Sequence, residues 1–108
     1  MIMPYKLTIP ETLGDMRDKL GWIMLSSPHF THDRFPGRNI DTTFTELFAG
    51  LDNIRKAVGD ECHQALVAMA TEMRVLFEAD AVREGNVIAY DMQEMIAAAS
   101  KSRRKKTN

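Results

Sequence analysis

The chain has 108 residues, room for one domain, with an ordinary globular balance of 44% hydrophobic and 27% charged residues and only four prolines and six glycines, which argues against disorder. Its one cysteine, Cys62, excludes an internal disulfide and fits a reducing cytosol. The net charge of −1 hides an asymmetry: residues 1–100 carry nine Lys/Arg against fifteen Asp/Glu, whereas residues 101–108 carry five positive charges and no negative one.

Four helices are expected in chain order, making an all-α, compact four-helix bundle over residues 1–100 with a basic, flexible tail at 101–108. The first runs from about Ile9 to Ser27. Thr8 and Glu11 have capping-box spacing, Pro10 suits a first turn, and Leu13, Met16, Leu20, Ile23 and Met24 line one face. Gly14 and Gly21, seven apart, suggest a close helix crossing. Pro28 stops the helix. A loop follows from Pro28 to Asp41, with Pro36-Gly37 as its turn signal.

The second helix begins near Asp41 to Thr43, with Thr43 and Glu46 as a capping box. It carries Phe44, Leu47, Phe48, Leu51, Ile54 and Val58 on its apolar face and ends at Gly59. Asp60 is placed to cap the third helix at once, so helices two and three form an antiparallel hairpin. The face of the third reads Cys62, Leu66, Met69, Met73, Leu76 and Phe77. Its end falls between Asp80 and Gly85, with Gly85-Asn86 the stronger break. The fourth runs from about Val87 to Lys101 on a stripe of Ile88, Met92, Met95, Ile96 and Ala99. Val87 to Tyr90 is β-permissive, but the helical continuation outweighs it.

Chemistry-bearing patterns are sparse. His29-x-x-His32-Asp33 is the first place to look for a metal, but three-residue spacing in a loop is loose and no third strong ligand follows at fixed spacing. Cys62 and His63 are adjacent, and adjacent helical residues do not face each other, so a thiol nucleophile is not expected. Glu72 and Glu94 lack the E-x-x-H spacing of a di-iron bundle. The eight methionines fall mainly on apolar stripes and read as core filling. There is no Gly-rich phosphate loop, G-x-S-x-G, H-E-x-x-H or C-x-x-C motif. No enzyme activity, metal or cofactor is expected.

No stretch of 18 apolar residues occurs, so no membrane span is expected, and Met1 to Leu7 is too short and polar for a signal peptide. The acidic body repels phosphate backbones, so nucleic acid is not an expected partner despite the basic tail. It suits a basic protein partner. The expected binding residues are the loop residues His29, Phe30, His32, Asp33, Arg34 and Phe35, because loops on a rigid scaffold carry function. With them go Glu72, Glu78, Asp80 and Glu84 around the acidic end of the third helix. A self-associating helical protein, such as a phage or plasmid accessory factor or a homodimer, is the alternative, with Trp22, Phe30 and Phe35 as its apolar patch.

The run Leu51-Asp52-Asn53-Ile54-Arg55, then a short turn, then His63-Gln64-Ala65-Leu66 through Met73 to Asp80, resembles the middle of small helical bacterial immunity proteins. Those proteins neutralise NAD-degrading effectors of the type VI secretion system. The likeness covers residues 15–90 and includes chain length, a first amphipathic helix followed by a Pro-containing loop, and the L-x-x-I-R step into a helical hairpin. Asp80-Ala81 stands where the family often has Asp-Pro. The resemblance implies a cytoplasmic, non-catalytic protein that binds one cognate toxin and blocks its active site. It transfers no interface residue to this chain.

Overall fold

The computed structural model describes residues 6–27, 30 and 37–105, the last four as backbone only. It is all-helical, as expected, with α1 Leu13–Ser26, α2 Ile40–Asn53, α3 Arg55–Val58, α4 Asp60–Glu78 and α5 Val82–Lys105, and no strand among the described residues. The long α5 packs against α1, α3 and α4, while α2 packs against α4 and α1.

The three-and-four spacing in each helix becomes the core. Met16, Leu20 and Ile23 of α1 meet Phe44, Leu47 and Leu51 of α2. Leu66, Ala70, Met73 and Phe77 of α4 and Ala89, Met92 and Ile96 of α5 complete the cluster. Each large side chain removed from water in this way stabilises the fold by about 1.5–3 kcal/mol. Met16, Met73 and Met92 are fully buried, and Met24, Met69 and Met95 pack against the cluster. Methionine here fills the core.

The helix boundaries differ from expectation. Thr8 and Glu11 do not start α1. Thr12 is the N-cap, its hydroxyl accepting from the Asp15 N–H at 3.0 Å. Residues 6–12 instead form an arm laid along α2. The Thr8 N–H donates to Glu46 Oε2 at 2.6 Å. Asn53 Nδ2 donates to the Pro10 carbonyl at 2.9 Å. Between them a Cβ on Gly50 would stand 3.0 Å from Pro10 Cδ. Positions 46, 50 and 53 share one helical stripe, so a polar, a small and a polar residue together seat the arm. At the other end Ser27 is extended before Pro28, the conformation proline imposes on its predecessor.

Thr43 and Glu46 likewise do not cap α2. Asn39 accepts from the Thr42 N–H at 3.0 Å, and the Thr42 hydroxyl accepts from the Asn39 N–H at 2.9 Å. The expected second helix is two: at Ile54, with φ −94° and ψ 4°, the chain bends and α3 adds a single turn. Among the described residues five helices therefore stand where four were expected. Gly59 ends α3 at φ 90°, a value that favours glycine, and itself serves as N-cap of α4. Asp60 is the first helical residue rather than the cap. It adds negative charge to the helix N-terminus and pairs with Arg55 Nε at 2.8 Å.

The α4–α5 break lies earlier than Gly85. The Ala81 N–H reaches the Leu76 carbonyl at 2.8 Å and the Asp80 N–H the Phe77 carbonyl at 3.0 Å, the paired bonds of a Schellman turn. Asp80 occupies its left-handed position at φ 62°. Gly85 lies inside α5, where an added Cβ would fall 2.5 Å from the Phe77 ring. The glycine permits close packing rather than breaking the helix. At its far end α5 runs to Lys105, so the basic segment continues a helix through residue 105.

Candidate protein-binding surface

Two groups of polar side chains stand out, one turned inward and one outward. The inward group centres on Glu46, whose side chain is fully buried against a Lys19 side chain only 9% exposed. Lys19 bonds one carboxylate oxygen while the Thr8 N–H bonds the other. Burial lowers the Lys19 pKa, and the Glu46 carboxylate opposes that shift. The Lys19 ammonium lies 4.7 Å from the centre of the Trp22 ring and the Arg38 guanidinium 4.0 Å from it. Trp22 in turn packs on Phe30 at 5.9 Å. This arrangement joins the arm, α1 and α2, and its charges are directed at one another.

Of the expected loop residues, His29, His32, Asp33, Arg34 and Phe35 lie outside the described residues. Phe30 does not belong to a surface patch. It is fully buried at φ 60°, with its ring 5.3 Å from Phe77 and 6.1 Å from Phe44. Its large apolar area outweighs the unfavourable backbone. Trp22 is half-buried beside it. Among the described residues no three His, Cys, Asp or Glu side chains converge as a metal site would require. Cys62 packs against the core, and burial raises its thiol pKa, away from the reactive thiolate. His63 turns to Asp52 of α2 at 3.1 Å.

The outward group is on α4 and α5. Glu72, Glu78, Asp80 and Glu84 are all exposed. Glu72, Val75 and Glu78 are three residues apart on one helix, so they share an outer stripe. Val75 is 60% exposed there. Arg74 bonds Glu78 at 3.3 Å and also pairs with Asp41, tying this stripe to the start of α2. On α5 a shallow, mainly apolar groove is lined by Val82, Arg83, Asn86, Val87 and Tyr90. Tyr90 donates its hydroxyl to Glu94, which raises the phenol's pKa. Sequence reading missed Val75, Val87 and Tyr90. The available signal was their place off the apolar stripes of their own helices.

No helix of the described residues is long and apolar enough to cross a membrane. Comparison with known protein families, with curated proteins and with solved structures finds no match to this chain.

Proposed function

We propose that the chain is a non-catalytic protein-binding module, an immunity or antitoxin-like protein that holds a cognate basic toxin in the cytoplasm and blocks it. The carrying observation is the outer stripe of α4, where the exposed Val75 sits between the exposed carboxylates Glu72 and Glu78. An apolar contact with an acidic surround suits a basic partner: the charges accelerate encounter and the apolar centre slows release. Asp80 and Glu84, exposed at the adjoining turn, extend the same sign. The resemblance to immunity proteins of type VI effectors agrees with this reading. So does a bundle in which α2 and α3 act as one bent arm of an antiparallel hairpin with α4, supported by the packing of both on α4.

The test is co-expression with the product of the neighbouring reading frame. Restored growth, together with co-purification of the two proteins, is expected. A neighbour that is harmless, or one whose toxicity this chain does not relieve, would overturn the proposal.

A further inference from the structure

Residues 6–12, Lys-Leu-Thr-Ile-Pro-Glu-Thr, cross α2 without joining a helix, because Pro10 disfavours helical backbone at Ile9 and has no N–H to donate. Pro10 is buried, while the other six residues are exposed. Its ring fills a notch that exists because position 50 is glycine. A Cβ there would stand 3.0 Å from Pro10 Cδ and 3.1 Å from Pro10 Cβ, and Met16 of α1 borders the same notch. Around the ring the protein holds the main chain of the arm. Glu46 Oε2 accepts the Thr8 N–H at 2.6 Å, and Asn53 Nδ2 donates to the Pro10 carbonyl at 2.9 Å. Open clefts flank this seat. One of about 350 Å³ reaches from Thr8, Ile9 and Pro10 to a wall that includes Trp22, and one of about 560 Å³ reaches from Glu11 and Thr12 to Asn53 and Lys56. A segment seated through one buried ring, with open space beside it, is released locally before the bundle unfolds.

We propose that the α1–α2 groove beneath the arm is a receptor for an extended, proline-containing segment of another protein, and that the arm fills it in cis as a competing pseudo-ligand. The contacts select this class of occupant. Glu46 and Asn53 hold one main-chain N–H and one main-chain carbonyl, groups that an extended peptide of any sequence offers. The Gly50 notch takes a proline ring two residues after the bonded N–H. Leu7 and Ile9 remain 41% and 40% exposed, so the groove reads main chain and proline more than the arm's own side chains. The tether gives the arm an effective concentration on the order of millimolar. A partner segment that adds contacts in the flanking clefts displaces it. This groove is separate from the α4 stripe, so the inference stands apart from the toxin-binding reading.

Peptide binding to the full chain tests it. Trp22, the chain's one tryptophan, lines the cleft beside the arm and its indole N–H resonance is the reporter. The probe is the heptapeptide of residues 6–12, blocked at both ends. Full-length Pro10→Asp, whose arm no longer seats, should bind it at least about tenfold more tightly than the wild type, in which the tethered arm competes. The peptide with Leu7→Ser and Ile9→Ser should bind Pro10→Asp within about threefold of the native peptide, and the peptide with Pro10→Asp about tenfold more weakly or not at all. Adding Gly50→Leu to the Pro10→Asp chain should abolish binding, because the notch is filled. A Pro10→Asp chain that keeps its helix content by circular dichroism but shows no saturable change at about 10 mM peptide would overturn the proposal. So would equal binding by the two chains. A peptide that stops binding without Leu7 and Ile9 would overturn it too, and leave the groove to the arm of a second copy. Should Pro10→Asp fail to fold, hydrogen exchange on the wild type decides. The Thr8 amide should exchange at least about a hundredfold faster than the Met92 amide of α5, and a Thr8 amide that exchanges only with global unfolding would overturn the proposal.

Discussion

The flank of the bundle where the arm crosses α2 and the flank formed by the outside of α4 both carry carboxylates, yet the groups do opposite work. Glu46 is fully buried, with Lys19 on one oxygen and the Thr8 N–H on the other. Glu72 and Glu78 stand in water around the exposed Val75. In the first region a charge has been withdrawn from solvent and must be matched inside the protein. In the second the charges stay exposed to solvent, Glu78 in an ion pair with Arg74, and within reach of another molecule. Burial, not residue type, separates structural carboxylates from those available for binding.

The sharpest way to break this contrast is to remove the inward charge. Glu46→Ala leaves Lys19 buried without its carboxylate and the arm without its anchor, and should cost about 3–5 kcal/mol in urea unfolding. That is a large part of the stability of a domain this size. Replacing both partners, Lys19→Met with Glu46→Leu, should recover most of the loss, because an apolar pair needs no matching. A double variant as unstable as Glu46→Ala alone would show that the arm, not the ion pair, is what counts.

A smaller effect is expected where α4 meets α5. Gly85→Ala places a methyl against the Phe77 ring. Overpacking of about 1–3 kcal/mol should exceed the ~1 kcal/mol that alanine gains in a helix. The thermal midpoint should fall, whereas a break-forming glycine would give a rise. Asp80→Gly acts the other way. It relieves a left-handed aspartate in the Schellman turn and should stabilise by up to about 1 kcal/mol.

The smallest effect concerns Tyr90. Its hydrogen bond to Glu94 raises the phenol above its ordinary value of 10.0. A group whose folded pKa is raised contributes stability in full below the unfolded pKa and loses it as pH climbs through the folded one. Glu94→Gln should therefore move one of the two tyrosine titrations, followed by ultraviolet absorbance, back towards the ordinary range. An unchanged curve would remove the bond from the account.

Much of the fold is legible in the amino-acid sequence. Spacings of three and four in Met16-Leu20-Ile23, Phe44-Leu47-Leu51 and Leu66-Ala70-Met73-Phe77 reflect helix geometry alone, and these residues form the core. The helix starts were not readable, because capping-box spacing is a local signal. Thr43 and Glu46 have that spacing, but Lys19, 27 positions away, claims the carboxylate. Gly85 presented the same difficulty, since a glycine that breaks a helix and one that lets a phenylalanine approach look identical in sequence. The candidate surface was only half readable. Glu72, Glu78, Asp80 and Glu84 are exposed as expected, while Phe30 went to the core and Val75, Val87 and Tyr90 were passed over. Exposure of an apolar residue depends on which neighbours the fold provides.

The contrast between the two flanks is tested most directly on one variant, Glu72→Lys with Val75→Ser and Glu78→Lys, measured for urea unfolding and for binding to the neighbouring gene product. The stability should stay within about 0.5 kcal/mol of wild type, as for exposed positions generally, while binding is lost. A variant that unfolds as readily as Glu46→Ala, or one that binds the partner with wild-type affinity, would contradict the account.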